Sequence, residues 1–527
     1  MALVMASMAA LYTAVGNIAE DTSATQTQLT WIVDSYTVLL ACLLLPAGAM
    51  GDRYGRREAL AIGIAVFAVA SLAPVFFSTP IQIIVFRAVA GAGAAFVMPA
   101  TLSVLTVLYP RDQRTKAVGI WAGVAGTGAV AGIMGSALLL EVWHWQAIFV
   151  ALGVIGVLIS LAALGIPASR DLDAPPVDWT GAVLIGAALA AIVVGILEAP
   201  VRGWTDPLVL SALIGGAALV APFGVVELRR DRPLLDVRLF GRRDFGASAA
   251  SITVQFATNF GMFYVLMQYM QEIMGFTPLQ AAMATAPMAV PILTLSVLSF
   301  WILPRLGLRA VIFAGLSLMA VGFWFMGQLG IHASYVNLAW PLVVYATGMG
   351  LSMAATTSVI MSSLPDDKQG VASAVNDAAR EVGAALGIAV AGSVLAAGYG
   401  NAIANRVVNL PEPVRSAASQ SLAAAMAVAP RSGGAELTEA AKLAFLHGMQ
   451  SAQNVLAMIL LVSAVVLGLW APGRRQQRLP TPQRVHRGTA DGLCGPPPSG
   501  QIGHLGPESQ VGFTARDQCG PARDHPR

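Results

Sequence analysis

Apolar runs of about 18 to 27 residues recur down the chain, separated by short polar breaks. Each is long enough to cross a hydrocarbon core, which needs roughly 20 residues of helix. Unpaired backbone groups are not tolerated in lipid, and barrel strands would be shorter and alternating, so runs of this length predict helices. Taken with their polar breaks they give 14 candidate helices, the first six near 1–18, 30–50, 58–77, 81–107, 115–140 and 146–166. Two more follow near 178–198 and 207–227, and the last six fall near 246–271, 277–303, 309–329, 337–363, 371–398 and 449–471. The pattern predicts an all-α polytopic membrane protein.

Loop charges test that count, because Lys and Arg accumulate in short cytoplasmic loops. With the N-terminus inside, the inner loops DRYGRRE, YPRDQRTK, PASRDLDAPP, ELRRDRPLLDVRLFGRRD, PRLGLR and LPDDKQG carry 16 basic residues, whereas the short outer loops carry only Arg202. One helix more or fewer would destroy the alternation. Both termini are therefore expected in the cytoplasm. The stretch 399–447 reads as a long, Ala- and Ser-rich outer segment with helix-favouring runs such as AELTEAAKLAFLHGMQ. Past Trp470 the composition turns to Arg, Pro and Gly, which predicts a disordered cytoplasmic tail over 472–527. The first helix begins at Met1 without a basic flank, so either it is short or the start lies upstream; no positive region precedes it to suggest a signal peptide.

Composition sharpens this in one respect and excludes several functions. Hydrophobic residues make up 56% and charged residues 11% of 527 positions, at a mean hydropathy of +0.70, too apolar for a soluble domain. The net charge of +3 comes from the tail, which holds 8 Arg and 4 acids. Without it 23 basic residues face 24 acidic ones, and nucleic-acid binding has no support. Cys42, Cys494 and Cys519 lack metal-ligand spacing, and no metal is expected. An ATP-driven pump is excluded because Lys116, Lys368 and Lys442, the only lysines, follow no phosphate-binding loop. An enzyme would want clustered His, Cys or acids, but three of the six His lie in the tail.

The first inner loop reads Gly48-Ala-Met-Gly51-Asp52-Arg53-Tyr-Gly55-Arg56-Arg57. Glycines there permit a tight turn and close helix approach, and Asp52 with the arginines can relay charge across helix ends. A partial echo, Arg305-Leu-Gly307-Leu-Arg309, falls between the tenth and eleventh helices, as in transporters built from two related halves. The fourth helix carries Arg87-Ala-Val-Ala-Gly91-Ala-Gly93. An arginine two turns inside an apolar helix is a functional candidate, unless it snorkels outward or locks helices together. These motifs resemble those of the major facilitator superfamily. Fourteen helices, together with WIVDSYT, Pro233-Leu-Leu-Asp236-Val-Arg238-Leu-Phe240 and Tyr269-Met-Gln271-Glu272-Ile-Met-Gly275, are similar to its 14-helix drug/proton antiporter branch, nearest the quaternary-ammonium and antiseptic exporters.

The resemblance implies the major facilitator fold: a six-helix half over 1–166, two inserted helices with a linker over 167–245, and a second six-helix half over 246–471. It implies a monomeric cell-membrane exporter of lipophilic, cationic drugs or antiseptics that uses no cofactor beyond the proton gradient; export of an endogenous metabolite, lipid or antibiotic is the alternative. It also implies a switch loop made by Gly48, Asp52, Arg53, Gly55, Arg56 and Arg57. In the fifth helix the antiporter motif is represented by Gly126-Thr-Gly128-Ala-Val-Ala131-Gly132-Ile-Met-Gly135-Ser136, without its proline.

Proton-driven export needs carboxylates that change protonation inside the protein, and few acids lie within the spans. Asp34 is one turn below Trp31, in the position where the antiseptic-exporter branch carries an acid; an interfacial acid is the other reading. Asp377 and Glu381 share a helical face at i and i+4, with Arg380 close enough to make them a local ion pair instead. Asp34, Asp377, Glu381 and Arg87 are the coupling candidates. The first-helix acid of many relatives aligns with Ser7 and the following proline with Gly16, and Ile292 stands where some divalent-cation exporters place another acid. Fewer carboxylates point to neutral or monocationic substrates. Tyr36, Phe263, Tyr264, Gln268, Tyr269 and Asn376 are the candidate substrate lining, beside Met262, and would make a soft aromatic surface suited to flat cations.

Overall fold

The polar breaks between apolar runs act as helix caps. Thr25 accepts from the Gln28 amide while the Gln28 side chain accepts from the Thr25 amide, a reciprocal cap that starts the second helix. Thr277 and Gln280 repeat the arrangement, and Asp178 and Asp206 cap the two inserted helices through Gly181 and Leu208. The computed structural model describes residues 1–474 except 23, 78, 111–112, 167–177, 231–232, 405, 409 and 433. The tail predicted to be disordered lies outside the described residues from 475 onward, and the whole of the loop PASRDLDAPP does as well.

Helices α1 (Ala2–Thr22), α2 (Gln26–Tyr54), α3 (Arg56–Leu72), α4 (Pro80–Leu108), α5 (Arg114–Val142) and α6 (Gln146–Ala163) are followed by α7 (Trp179–Arg202) and α8 (Pro207–Arg229). Then come α9 (Arg243–Gln268), α10 (Pro278–Ala284), α11 (Ala289–Leu306), α12 (Leu308–Met326), α13 (Tyr335–Ser363), α14 (Gln369–Ala404), α15 (Glu412–Gln420), α16 (Leu422–Ser432) and α17 (Gly434–Trp470). Among the described residues, 12 spans are long and apolar enough to cross a membrane, α10 and α11 together forming one. The two other predicted positions are filled by α1, which is bent by 48°, and by the 29-residue α5 with apolar stretches at Lys116–Ala125 and Ala131–Val142.

The tenth span, Leu279–Leu306, contains a short 3₁₀ turn at Ala286–Met288, opened by Pro287. The boundaries of the last two helices need correction. The segment 399–447 is mostly helical: α14 runs on to Ala404, α15 and α16 follow, and α17 begins at Gly434, about four turns before the expected 449. Leu437, Ala441, Ala444, Phe445 and Met449 bury one stripe of that extension, while the polar positions between them separate the helix-favouring run from the last apolar span in a hydropathy reading.

Two cores result. One gathers Leu11, Tyr36, Phe67, Ala94, Trp145 and Phe149 from α1–α6; the other gathers Phe256, Met319, Phe323, Tyr345, Met353 and Leu460 from α9 onward. Their local geometry repeats. Gly55 at φ +122° turns α2 into α3, and Gly307 at φ +81° turns α11 into α12, so the sequence echo is a structural one. A Cβ on Gly93 would lie 2.7 Å from the Gly63 carbonyl where α3 meets α4, and one on Gly315 would lie 2.9 Å from the Gly348 carbonyl where α12 meets α13. The inserted α7 touches both halves: Val193 packs with Val38 and Ala41 of α2, and Ile196 packs with Ala385 and Ala389 of α14.

Candidate functional site

At the end of the bundle that carries the Arg-rich loops, the last turn of α2 meets the first turn of α14. The Asp52 carboxylate accepts hydrogen bonds from the Gly370 and Val371 amides at 2.9 and 3.1 Å, amides that a helix start leaves without intrahelical partners. Arg56 donates to the same carboxylate at 2.7 Å and to the Asp366 carbonyl at 2.9 Å. Arg114 of α5 clamps the Asp366 carboxylate at 2.7 Å. A Cβ on Gly48 would sit 2.6 Å from the Gly370 carbonyl, so only glycine lets the two helices approach this closely. Gly55 supplies the turn, Arg57 pairs with Glu58 at 2.7 Å, and Arg53 lies over the Tyr54 ring. This end is closed across the two halves.

Deeper in the bundle lie two buried arginines. Arg87 donates from Nη1 to the Ser7 hydroxyl at 3.0 Å and from Nε to the Ile32 carbonyl at 3.3 Å, and its guanidinium lies 4.4 Å from the Tyr36 ring centre. Ser7, fully buried, is thus a neutral acceptor for this guanidinium. Tyr36 is fully buried and donates to the Val4 carbonyl at 3.2 Å, so it supports Arg87 rather than facing an open surface.

Arg380 projects from α14 toward the other half. Its guanidinium carbon lies 4.9 Å from the Trp121 ring centre on α5 and 4.5 Å from that of Phe256 on α9. Asp377 faces it at 3.6 Å, and Met353 of α13 contributes a sulfur at 3.9 Å. The local pair weighed from the sequence is therefore present. Asp377, Arg380 and Glu381 are each at most 2% exposed, and the outer oxygens Asp377 Oδ2 and Glu381 Oε2 accept no hydrogen bond. Asn376 accepts from Thr357 at 3.0 Å and donates to Asp377 at 3.3 Å, fixing the carboxylate's orientation.

Asp34 lies elsewhere. Trp31, Asp34, Val38 and Ala41 form one stripe of α2, and Trp31, Val38 and Ala41 pack on α7, so Asp34 sits at the seam with the inserted helix, within electrostatic range of Glu198. The aromatic lining expected on α9 is also dispersed. Tyr269 is buried in the second core and donates to the Gly330 carbonyl at 2.8 Å, Tyr264 is 41% exposed, Gln268 donates back to the Tyr264 carbonyl, and Phe263 is half-buried in the core. At 1.5 Å of rise per residue, Tyr269 is about 20 Å along α9 from Phe256. Gly16 is exposed on α1, Ile292 is buried against α13, and Gly128 and Gly132 seat the α1 backbone at Ala2 and Ala6. Sequence reasoning missed Trp121, Phe256 and Met353, which look like any apolar residue in a span; Asp377, Glu381 and Arg380, charges in an apolar helix, signalled the place.

Comparison with known proteins decides the family. The defining pattern of the Major Facilitator Superfamily matches residues 1–388. The chain belongs to this superfamily. It is a transporter rather than an enzyme, and an integral membrane protein. Superfamily relatives at similar length include the multidrug efflux pump LfrA of Mycolicibacterium smegmatis, 31% identical over 86% of this chain and 90% of its own. The tetracenomycin C resistance and export protein of Streptomyces glaucescens is 30% identical over 90% of both chains. The methyl viologen resistance protein SmvA of Salmonella typhimurium is 29% identical over 89% of this chain and 95% of its own. Among solved structures, the human organic anion transporter MFSD10 superposes with a TM-score of 0.57 at 14% identity, covering 88% of this chain and 96% of its own. The proton:xylose symporter XylE gives 0.55 at 15% identity, covering 90% and 94%. At such identities the likeness is one of fold.

Proposed function

We propose that the chain is a proton-coupled exporter of lipophilic, cationic drugs or antiseptics in the cell membrane, with both termini in the cytoplasm. It works by alternating access, the two halves rocking about a central site while inward protons exchange for outward substrate. The observation that carries this reading is the pairing of a closed basic end, where Asp52, Arg56 and Arg114 bind the other half, with buried acids deeper in the same interface. An interface held by a few charge-assisted bonds has two discrete arrangements, and a buried carboxylate that gains or loses a proton biases the choice between them. The names of the relatives, LfrA and SmvA above all, agree with an export role. The relative that is a tetracenomycin C resistance and export protein keeps export of an endogenous metabolite, lipid or antibiotic as the second reading.

Accumulation of ethidium in everted vesicles tests this. Uptake is expected to follow an imposed pH gradient and to stop when the gradient is collapsed; uptake that persists refutes proton coupling. Asp34→Asn is expected to abolish uptake while leaving membrane insertion intact, and normal uptake by that variant would return Asp34 to an interfacial role at the α7 seam.

A further inference from the structure

Four groups surround one point between the halves: the Trp121 ring from α5, the Phe256 ring from α9, the Met353 sulfur from α13 and the Asp377 carboxylate from α14, with the Glu381 carboxylate, next along α14, within electrostatic range. Two aromatic faces and two acids in a dry interior make a site for a cation, since ring faces attract positive charge and the attraction grows when water is absent. What occupies that point is the protein's own guanidinium. Arg380 lies 4.9 and 4.5 Å from the two ring centres, 3.6 Å from Asp377 and 2% exposed.

Its bonding is unlike that of an arginine built in to lock a structure. A locking arginine uses its planar fork in directed hydrogen bonds, commonly to both oxygens of a carboxylate. Among the described residues Arg380 makes no short, directed bond to oxygen: Nη1 stands 3.6 Å from Asp377 Oδ1, Nε has no partner within hydrogen-bonding distance, and Nη2 reaches the Met353 sulfur at 3.9 Å. Asp377 Oδ2 and Glu381 Oε2 have no partner either. The guanidinium is thus held by charge, ring faces and polarisable sulfur, interactions that any flat monovalent organic cation offers equally and that require no directed donor.

We propose that Arg380 is a tethered stand-in for the transported cation. In the arrangement seen here it fills the site bounded by Trp121, Phe256, Met353, Asp377 and Glu381. A planar or aryl-substituted monocation takes the same place when the Arg380 side chain swings aside. The proposal rests on the export reading above and gives it a substrate class: one positive charge with flat apolar surface. The stand-in keeps the acids compensated when no substrate is bound, and it sets a threshold for binding, because a substrate must displace a cation of equal charge. Trp121 belongs to one half and Arg380 to the other, so the stack also holds the halves together at this depth, and a substrate that replaces it inherits that role.

The test is equilibrium binding of tetraphenylphosphonium to the purified full-length protein in detergent, with no gradient present. Arg380→Gln keeps an amide beside Asp377 and removes the competing charge. Tetraphenylphosphonium is expected to bind this variant about tenfold more tightly than the wild type, while N-phenyl-1-naphthylamine, an uncharged aromatic probe, changes less than about twofold. Trp121→Leu is expected to weaken tetraphenylphosphonium binding by about tenfold and Trp121→Phe to restore most of it. Equal or weaker cation binding by Arg380→Gln overturns the proposal, as does a parallel gain for the neutral probe. If Arg380→Gln does not fold, Trp121→Phe and Phe256→Leu carry the test, and cation affinity unmoved by both overturns it. The two readings fail separately. Vesicle uptake indifferent to pH with the binding gain intact refutes proton coupling alone, and proton-driven uptake with no binding gain refutes the stand-in alone.

Discussion

Arg87 and Arg380 each sit in an apolar helix at 2% exposure, one in each half, and both lie against aromatic rings. Their surroundings otherwise differ. The hydrogen bonds and ring contact that hold Arg87, to Ser7, Ile32 and Tyr36, come from α1 and α2, which move with α4 when one half rocks as a body. The Trp121 contact of Arg380 comes from the opposite half. A contact inside a half can persist through the whole cycle, whereas a contact between halves has to break in it. These contacts of Arg87 therefore contribute to stability, and the Arg380–Trp121 contact to the balance between conformations.

The sharpest way to break that comparison is at the basic end, where charge-assisted bonds join the two halves. Asp52→Asn keeps one acceptor oxygen but loses the charge that Gly370, Val371 and Arg56 all address. At about 2 to 3 kcal/mol for charge-assisted bonds, this shifts the equilibrium between closed and open by about 30- to 150-fold. The readout is the labelling rate of Ala374→Cys in a cysteine-free background, by an impermeant maleimide applied to everted vesicles. Ala374 is buried beside Gly48 in the closed arrangement, so labelling should accelerate by a similar factor. An unchanged rate would mean that the α2–α14 contact does not gate this end.

Arg87→Lys probes the other side of the comparison. Lysine keeps the charge but cannot reach the Ser7 hydroxyl and the Ile32 carbonyl with one fork, a loss of about 1 to 2 kcal/mol. Its thermal midpoint in detergent should fall, while the Ala374→Cys labelling rate stays at the wild-type value. Accelerated labelling would show that Arg87 also reports on the conformation and that within-half and between-half contacts are not separable here.

How far the sequence reveals these contacts follows from the physics behind each. The spans were readable because lipid imposes length and composition on every crossing helix, and the Gly55 and Gly307 turns because a positive φ favours glycine. The N-terminal extension of α17 was legible as a helix-favouring run but not as one helix with the last span, since Glu436, Glu439 and Lys442 interrupt its apolar stripe and lower the hydropathy of that window. Asp377, Arg380 and Glu381 stood out as charges in an apolar helix. Their partner Trp121 did not, because which ring of α5 faces which residue of α14 depends on the register between halves, and no local pattern encodes it. Asp34 shows the same limit in reverse. Its helix and depth were legible, but its direction depends on where α7 packs, and that direction separates it from the central charges.

The finest test concerns Ser7, which gives Arg87 a neutral partner where a carboxylate was expected. Ser7→Asp places an acid at the end of a 3.0 Å hydrogen bond to a guanidinium that is already desolvated. The gain from making that bond charge-assisted, about 1 kcal/mol, is opposed by desolvation of the new carboxylate and by its extra volume at a fully buried position. The single variant should therefore lie within about 1 kcal/mol of the wild type, too little to interpret alone. Combined with Arg87→Gln in a double-mutant cycle, the terms common to both backgrounds cancel and the pair is isolated. A favourable coupling of about 1 to 2 kcal/mol is expected, read from thermal midpoints, with labelling of Ala374→Cys again unchanged. A coupling near zero would mean that the Arg87 site does not respond to charge at Ser7, and that its role is packing of the ring and stem rather than compensation.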